Sequence, residues 1–184
     1  IVGAYAGDAL TSGHSNVAVG YGALSVEDNG TRNVAVGWGT LAALNAGDGH
    51  NVAVGFQAGA AITTGTKNTL VGAAAGDALT TGSLNVAIGY GALTTEDAHG
   101  RNVAIGHNAL ASQNAGADAY NVAIGYTAGV LISTGIQNTI IGGLAGDALT
   151  TGVSNTVLGY GALSTEDTGS RAIAIGYKAL STQN

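Results

Sequence analysis

The residues best suited to chemistry in this chain are three Glu-Asp pairs, Glu27-Asp28, Glu96-Asp97 and Glu166-Asp167. Paired carboxylates offer hard oxygen ligands of the kind Ca²⁺ prefers. The pairs stand 69 and 70 residues apart, too far along one chain to share an ion in a stacked repeat. They are expected to be solvated loops, the alternative being a cation site that bridges chains. His14, His50, His99 and His107 fall at unrelated positions and show no metal-ligand spacing. The segment VGYGAL has the glycines of a phosphate loop, yet no GKS or GKT follows. Asp8, Asp77 and Asp147, each after a glycine in GDAL, read as turn or edge residues. Asn29-Gly30-Thr31 is a lone glycosylation sequon. A catalytic site needs unlike residues gathered once. A repeat places similar residues many times. The expectation is therefore a protein that is not an enzyme, with no catalytic, cofactor-binding or metal-binding residues and no cofactor.

What positions these groups is an internal repeat. The tag Asn-Val-Ala-Val/Ile-Gly begins at Asn16, Asn33, Asn51, Asn85, Asn102 and Asn121. Variants begin at Asn68, Asn138, Asn155 and Ala172. Successive tags are separated by 17, 18, 17, 17, 17, 19, 17, 17 and 17 residues. A longer period lies on top: GDALTSGHSNVAVGYGALSVED from Gly7 returns in near-identical form from Gly76 and Gly146. The whole of 1–184 is thus a single repeat region built on a four-coil super-repeat of about 70 residues. It opens at Ile1-Val2-Gly3, in the middle of a repeat, and reads as a fragment of a longer fibre.

Composition narrows the class. Of 184 residues, 32 are glycine and only 9% are charged, while 46% are hydrophobic. That apolar share, in regular positions, excludes a disordered chain. A net charge of −6 with five basic residues argues against nucleic acid and against an anionic membrane surface. No apolar run reaches the roughly eighteen residues of a membrane span, so no membrane insertion is expected.

Val17 and Val19 flank Ala18, which is the alternation of a strand, and glycines recur too often for helices. Each coil can bury three or four large side chains, worth about 5–12 kcal/mol. Ordering its backbone costs about 1–2 kcal/mol per residue. A lone coil fails, so coils must stack in register. The fold expected is all-β: a β-solenoid of about ten 17–19-residue coils, spaced about 4.8 Å apart along a length of roughly 45–50 Å.

Stacking would align Asn16, Asn33, Asn51, Asn68, Asn85, Asn102, Asn121, Asn138 and Asn155 into a ladder of amides bonding along the axis. The glycine that closes each tag marks a corner or a close approach of backbones. After it comes an aromatic ladder of Tyr21, Trp38, Phe56, Tyr90, Tyr126, Tyr160 and Tyr177, with His107 completing the middle group and Ala73 and Gly143 interrupting it. The rings are interface residues if the strand runs through the glycine, and ligand-facing if the glycine turns the chain outward. The tag has two apolar faces and a thin coil can bury only one, so self-association is expected.

NVAVG or NVAIG followed by YGAL resembles the SVAIG-type repeats of trimeric autotransporter adhesin heads, the left-handed β-roll. More closely it resembles the NTAIGYxAL-type repeats of bacteriophage tail fibres, because adhesin heads use shorter coils. The resemblance implies a homotrimeric structural and adhesive fibre, extracellular on a virion or cell surface, with a cell-surface glycan or protein as receptor. A self-assembled cell-surface filament is the rival reading. An ice-binding solenoid would need a regular Thr array, and the register of Thr63, Thr64, Thr80 and Thr81 is lost at Thr94 and Thr95. A polysaccharide depolymerase would need carboxylates gathered in long insertions, and the longest here is two residues.

Overall fold

A computed structural model describes residues 1–182. Each tag forms one three-residue strand: β1 (Val17–Val19), β2 (Val34–Val36), β3 (Val52–Val54), β4 (Thr69–Val71), β5 (Val86–Ile88), β6 (Val103–Ile105), β7 (Val122–Ile124), β8 (Thr139–Ile141), β9 (Thr156–Leu158) and β10 (Ile173–Ile175). The ten strands make one parallel sheet in sequence order, which is a β-solenoid of about nine turns. No helix occurs among the described residues. The register is tag on tag throughout. Val34 pairs with Val52 and Val103 with Val122, so the extra residues of the 18- and 19-residue steps are absorbed outside the strands.

The central residue of every strand points inward and is buried, whether Ala18, Leu70, Ile140 or Val157. The flanking aliphatic residues point outward and stay half-exposed or exposed, as Val17, Val52, Ile88 and Leu158 do. In seven of the ten strands the inward residue is alanine, because the coil is narrow. Its volume is made up elsewhere. Eight residues after the tag start the chain alternates in pairs: Leu24 and Leu41, Gly59 and Gly76, Leu93 and Leu110, Gly129 and Gly146. The leucines are fully buried, and over the glycines lie side chains of neighbouring coils. A methyl on Gly59 would stand 2.7 Å from Leu70 Cδ1 and 2.9 Å from Leu41 Cδ2. The super-repeat is therefore a packing period in which large and small residues exchange places to keep the interior filled.

Each coil turns through backbone of positive φ. The residue eight places after the tag start has φ of 49–59° whether it is Gly or Leu. At leucine this costs about 1–2 kcal/mol, and burial of the side chain, worth about 1.5–3 kcal/mol, outweighs it. Six places after the tag start the residue is again left-handed, Gly or Asn in five of the ten coils, but at Thr127 (φ 51°) it is β-branched and not fully buried. Its hydroxyl is also shut from solvent without a partner. Nothing offsets the strain there. Thr127→Gly is expected to raise stability by about 1 kcal/mol, strain relief and the lost orphan exceeding the added unfolded-chain entropy. A urea midpoint that stays put or falls would refute this.

Candidate functional site

The amide ladder is present and works differently from stacked amides alone. In each of its nine rungs, Asn Oδ1 accepts the backbone N–H of the next tag's first residue, at 2.8–3.2 Å. In seven rungs Nδ2 donates to the carbonyl fourteen residues on, as from Asn16 to Gly30 at 2.6 Å and from Asn155 to Gly169 at 2.7 Å. One side chain thus clamps the end of its own coil to the start of the next. Direct amide-to-amide bonds are longer, 3.1–3.5 Å, and occur at only some rungs. The two Nδ2 groups without a partner belong to Asn33 and Asn102. These begin the 18- and 19-residue coils, where the added length moves the accepting carbonyl away. All but Asn16 are buried, which makes the ladder a structural device.

The glutamates were expected in solvated loops, and the structure corrects this. Eleven residues after the tag start, half of the ten coils place a fully buried aliphatic residue, Leu44, Ile62, Leu79, Ile132 or Leu149, and one places the buried Gln113. Glu27, Glu96 and Glu166 occupy the same column, and Glu27 and Glu96 are fully buried. Backbone amides hold them: Ala46 N–H donates to Glu27 Oε2 at 3.1 Å, His99 N–H to Glu96 Oε1 at 3.1 Å, and Gly169 N–H to Glu166 Oε1 at 2.9 Å. Burial pushes the Glu96 carboxyl above its ordinary range, opposed by the His99 N–H and imidazole. Their neighbours Asp28, Asp97 and Asp167 are exposed. The GDAL aspartates sit at turns, and burial also raises Asp77 and Asp147.

Two ion pairs that the sequence reading missed lie at the long coils. Asp48 receives the Thr31 hydroxyl and the Arg32 guanidinium from the preceding coil, and these hold its carboxyl below the usual range. Asp118 likewise receives Arg101 and, at 3.1 Å, the Gly100 N–H. The shared signal is an Arg just before a tag followed by an Asp in the next, lengthened coil.

The aromatic ladder stands on the outside. The tag glycines have φ of 124–144° and turn the chain, so the ring that follows leaves the coil. Tyr21, Trp38 and Phe56 stack with centroids 6.1 and 5.1 Å apart and planes within 12°. Tyr90, His107 and Tyr126 stack at 5.3 and 5.3 Å, and Tyr160 and Tyr177 at 5.8 Å. Every tyrosine, tryptophan and phenylalanine of this ladder is exposed. The coil itself buries neither the rings nor the outward aliphatic strip.

Comparison with known proteins adds no relative. No protein-family model, curated protein or solved structure matches this chain. Its own geometry carries the functional reading. The threonines are engaged within the fold: Thr63 and Thr80 donate to the carbonyls of Thr80 and Asp97 at 3.1 and 2.8 Å. No helix among the described residues is long and apolar enough to cross a membrane. His99, which showed no metal-ligand spacing by itself, lies with Glu96 and Asp97, one ligand atom from each falling within 4.8 Å of the others.

Proposed function

We propose that this chain is a shaft segment of a homotrimeric, extracellular attachment fibre, structural and adhesive rather than enzymatic. The observation that carries the reading is the outward aliphatic face of the sheet. Its ten strands run side by side, and in seven of them alanine is inside with the larger aliphatic residues outside. The strip covers about 300–450 Å² at β spacing, which matches the largest apolar patch a typical monomer exposes. It is also unbroken by charge, since the outward strand residues are Val, Ile, Leu and Thr. Packing it against further copies of the same face removes it from water. Threefold closure gives a straight rod without an open apolar edge. The stacked rings supply flat faces suited to a glycan or a protein receptor on a cell surface.

The test is the mass of the particle. Light scattering on the purified chain should give three times 17.7 kDa. Val103→Asp or Ile105→Asp, mid-stack in β6, places a carboxylate in the proposed interface, where desolvation costs several kcal/mol. Both variants should run as single chains with an unchanged circular dichroism spectrum. A wild-type mass of one chain, or variants that assemble normally, would sink the proposal.

A further inference from the structure

The corner fourteen residues after a tag start is glycine in the first and third Glu-Asp coils, Gly30 and Gly169, and histidine in the second, His99. At the glycine corners the glutamate fills the space. A methyl on Gly30 would lie 2.0 Å from Glu27 Cδ, and one on Gly169 2.6 Å from Glu166 Cδ. At the middle corner a side chain stands there instead, and the Glu96 carboxylate lies beside the imidazole, Oε1 to Nδ1 3.7 Å.

That arrangement leaves an imidazole nitrogen without a partner beside an unbonded carboxylate oxygen; the first sister corner also has such an oxygen, Glu27 Oε1, but no imidazole. Glu96 is fully buried, and its Oε2 has no hydrogen bond. His99 Nδ1 is also shut from solvent and has none. A proton shared between imidazole and carboxylate does not satisfy them, because 3.7 Å is too long for a hydrogen bond. A metal ion bridges such a gap: around a tetrahedral ion with bonds of about 2.0–2.1 Å, ligand atoms stand about 3.4 Å apart. Asp97, exposed, provides a third oxygen on the solvent side. We propose that Glu96, Asp97 and His99 form a divalent transition-metal site of the zinc type, present at this corner and absent from its two sister corners. One imidazole with two carboxylates favours a borderline ion over Ca²⁺ or Mg²⁺, which take oxygen alone. Water completes the coordination. The backbone of the site is fixed on both sides. The Asp97 carbonyl accepts the Thr80 N–H at 2.6 Å, and the His99 carbonyl accepts from Asn85 Nδ2 at 3.3 Å.

The experiment is calorimetric titration of the chelator-treated full chain with ZnCl₂, repeated with CaCl₂. One Zn²⁺ per chain and no Ca²⁺ binding are expected. His99→Gly restores the residue that both sister corners carry and should fold normally. It should weaken Zn²⁺ binding by more than about 100-fold, since losing a ligand exceeds the 10–100-fold typical of a supporting contact. Asp97→Asn, on the surface, should weaken it at least tenfold. His50→Gln, beside Asp48, should leave it unchanged. The site is refuted if Zn²⁺ fails to bind, if binding survives both His99→Gly and Asp97→Asn, or if Ca²⁺ binds and Zn²⁺ does not. Asp97→Asn keeps the test decisive should His99→Gly not fold.

Discussion

Asn121→Ala is expected to cost about 3–6 kcal/mol of folding stability, which is a large share of the 5–15 kcal/mol a typical domain possesses. Asn121 Oδ1 accepts the backbone N–H of Asn138 at 2.9 Å and its Nδ2 at 3.2 Å. Asn121 Nδ2 donates to the Gly135 carbonyl at 2.8 Å and to Gln113 Oε1 at 2.8 Å. Alanine leaves the Asn138 N–H, the Gly135 carbonyl and Gln113 Oε1 all without this partner in a buried place. Each orphaned group costs about 1–3 kcal/mol, and no water replaces the amide. Asn16 makes the same two backbone contacts, to Gly30 at 2.6 Å and from Asn33 at 2.9 Å, but it is only half-buried. Water can reach that rung, so Asn16→Ala should cost about 1–2 kcal/mol. Urea denaturation of both variants measures the difference. Equal losses, or a loss under about 1 kcal/mol at Asn121, would show that the clamp is not what holds the coils.

The strand positions, their register and the stacking were legible because the tag is short, repeated and rich in β-branched residues. The direction of the tag was not. Val17 and Val19 make one apolar face and Ala18 another, and alternation alone does not say which enters a narrow interior. The answer lies eight residues further on, in the exchange of Leu24 and Leu41 for Gly59 and Gly76, which shows that volume is being conserved inside. The ring ladder illustrates the same point. The sequence left open whether the strand runs on through the tag glycine or turns there, and the glycine φ of 124–144° turns the chain and sets the rings outside.

The buried glutamates were misread for a related reason. Glu-Asp looks like solvent when its neighbours in sequence are considered. Its neighbours in space are the residues one coil away, and in that column Glu96 lies between Leu79 and Gln113. A charged residue recurring where other coils keep Leu or Ile signals a carboxylate with a built partner, here a backbone N–H at the corner. The His99 cluster follows from the same column logic, since it places a histidine where the sister coils keep glycine. Left-handed leucines such as Leu93 (φ 56°) had a comparable signal, because glycine takes that column in alternate coil pairs. In a solenoid the informative alignment is vertical, coil over coil.

The tag glycines combine a left-handed φ with a close backbone neighbour, and Gly106→Ala should be the most damaging methyl among them. Gly106 has φ of 138°, a region that an L side chain enters only at a cost of about 1–3 kcal/mol. The added methyl would also stand 2.1 Å from the Gly125 carbonyl oxygen and 2.6 Å from its carbon. Those atoms are backbone and cannot rotate away. Gly125 is pinned by its own N–H to the Ile105 carbonyl at 2.8 Å, and the strands on either side are paired in register. Relieving the overlap means prising the two coils apart by about 1 Å, which stretches the hydrogen bonds between β6 and β7 beyond useful length. The total should exceed about 4 kcal/mol, the strain and the broken coil contact adding together. Gly176 separates the two contributions. It closes the last tag with φ of 124°, and nothing lies within 4 Å of an added methyl. Gly176→Ala should therefore cost the backbone strain alone, about 1–3 kcal/mol. If both variants melt at the same urea concentration, the invariance of the tag glycine reflects conformation only. If Gly106→Ala is the worse by about 2 kcal/mol or more, the column of glycines is what lets successive coils approach to β spacing.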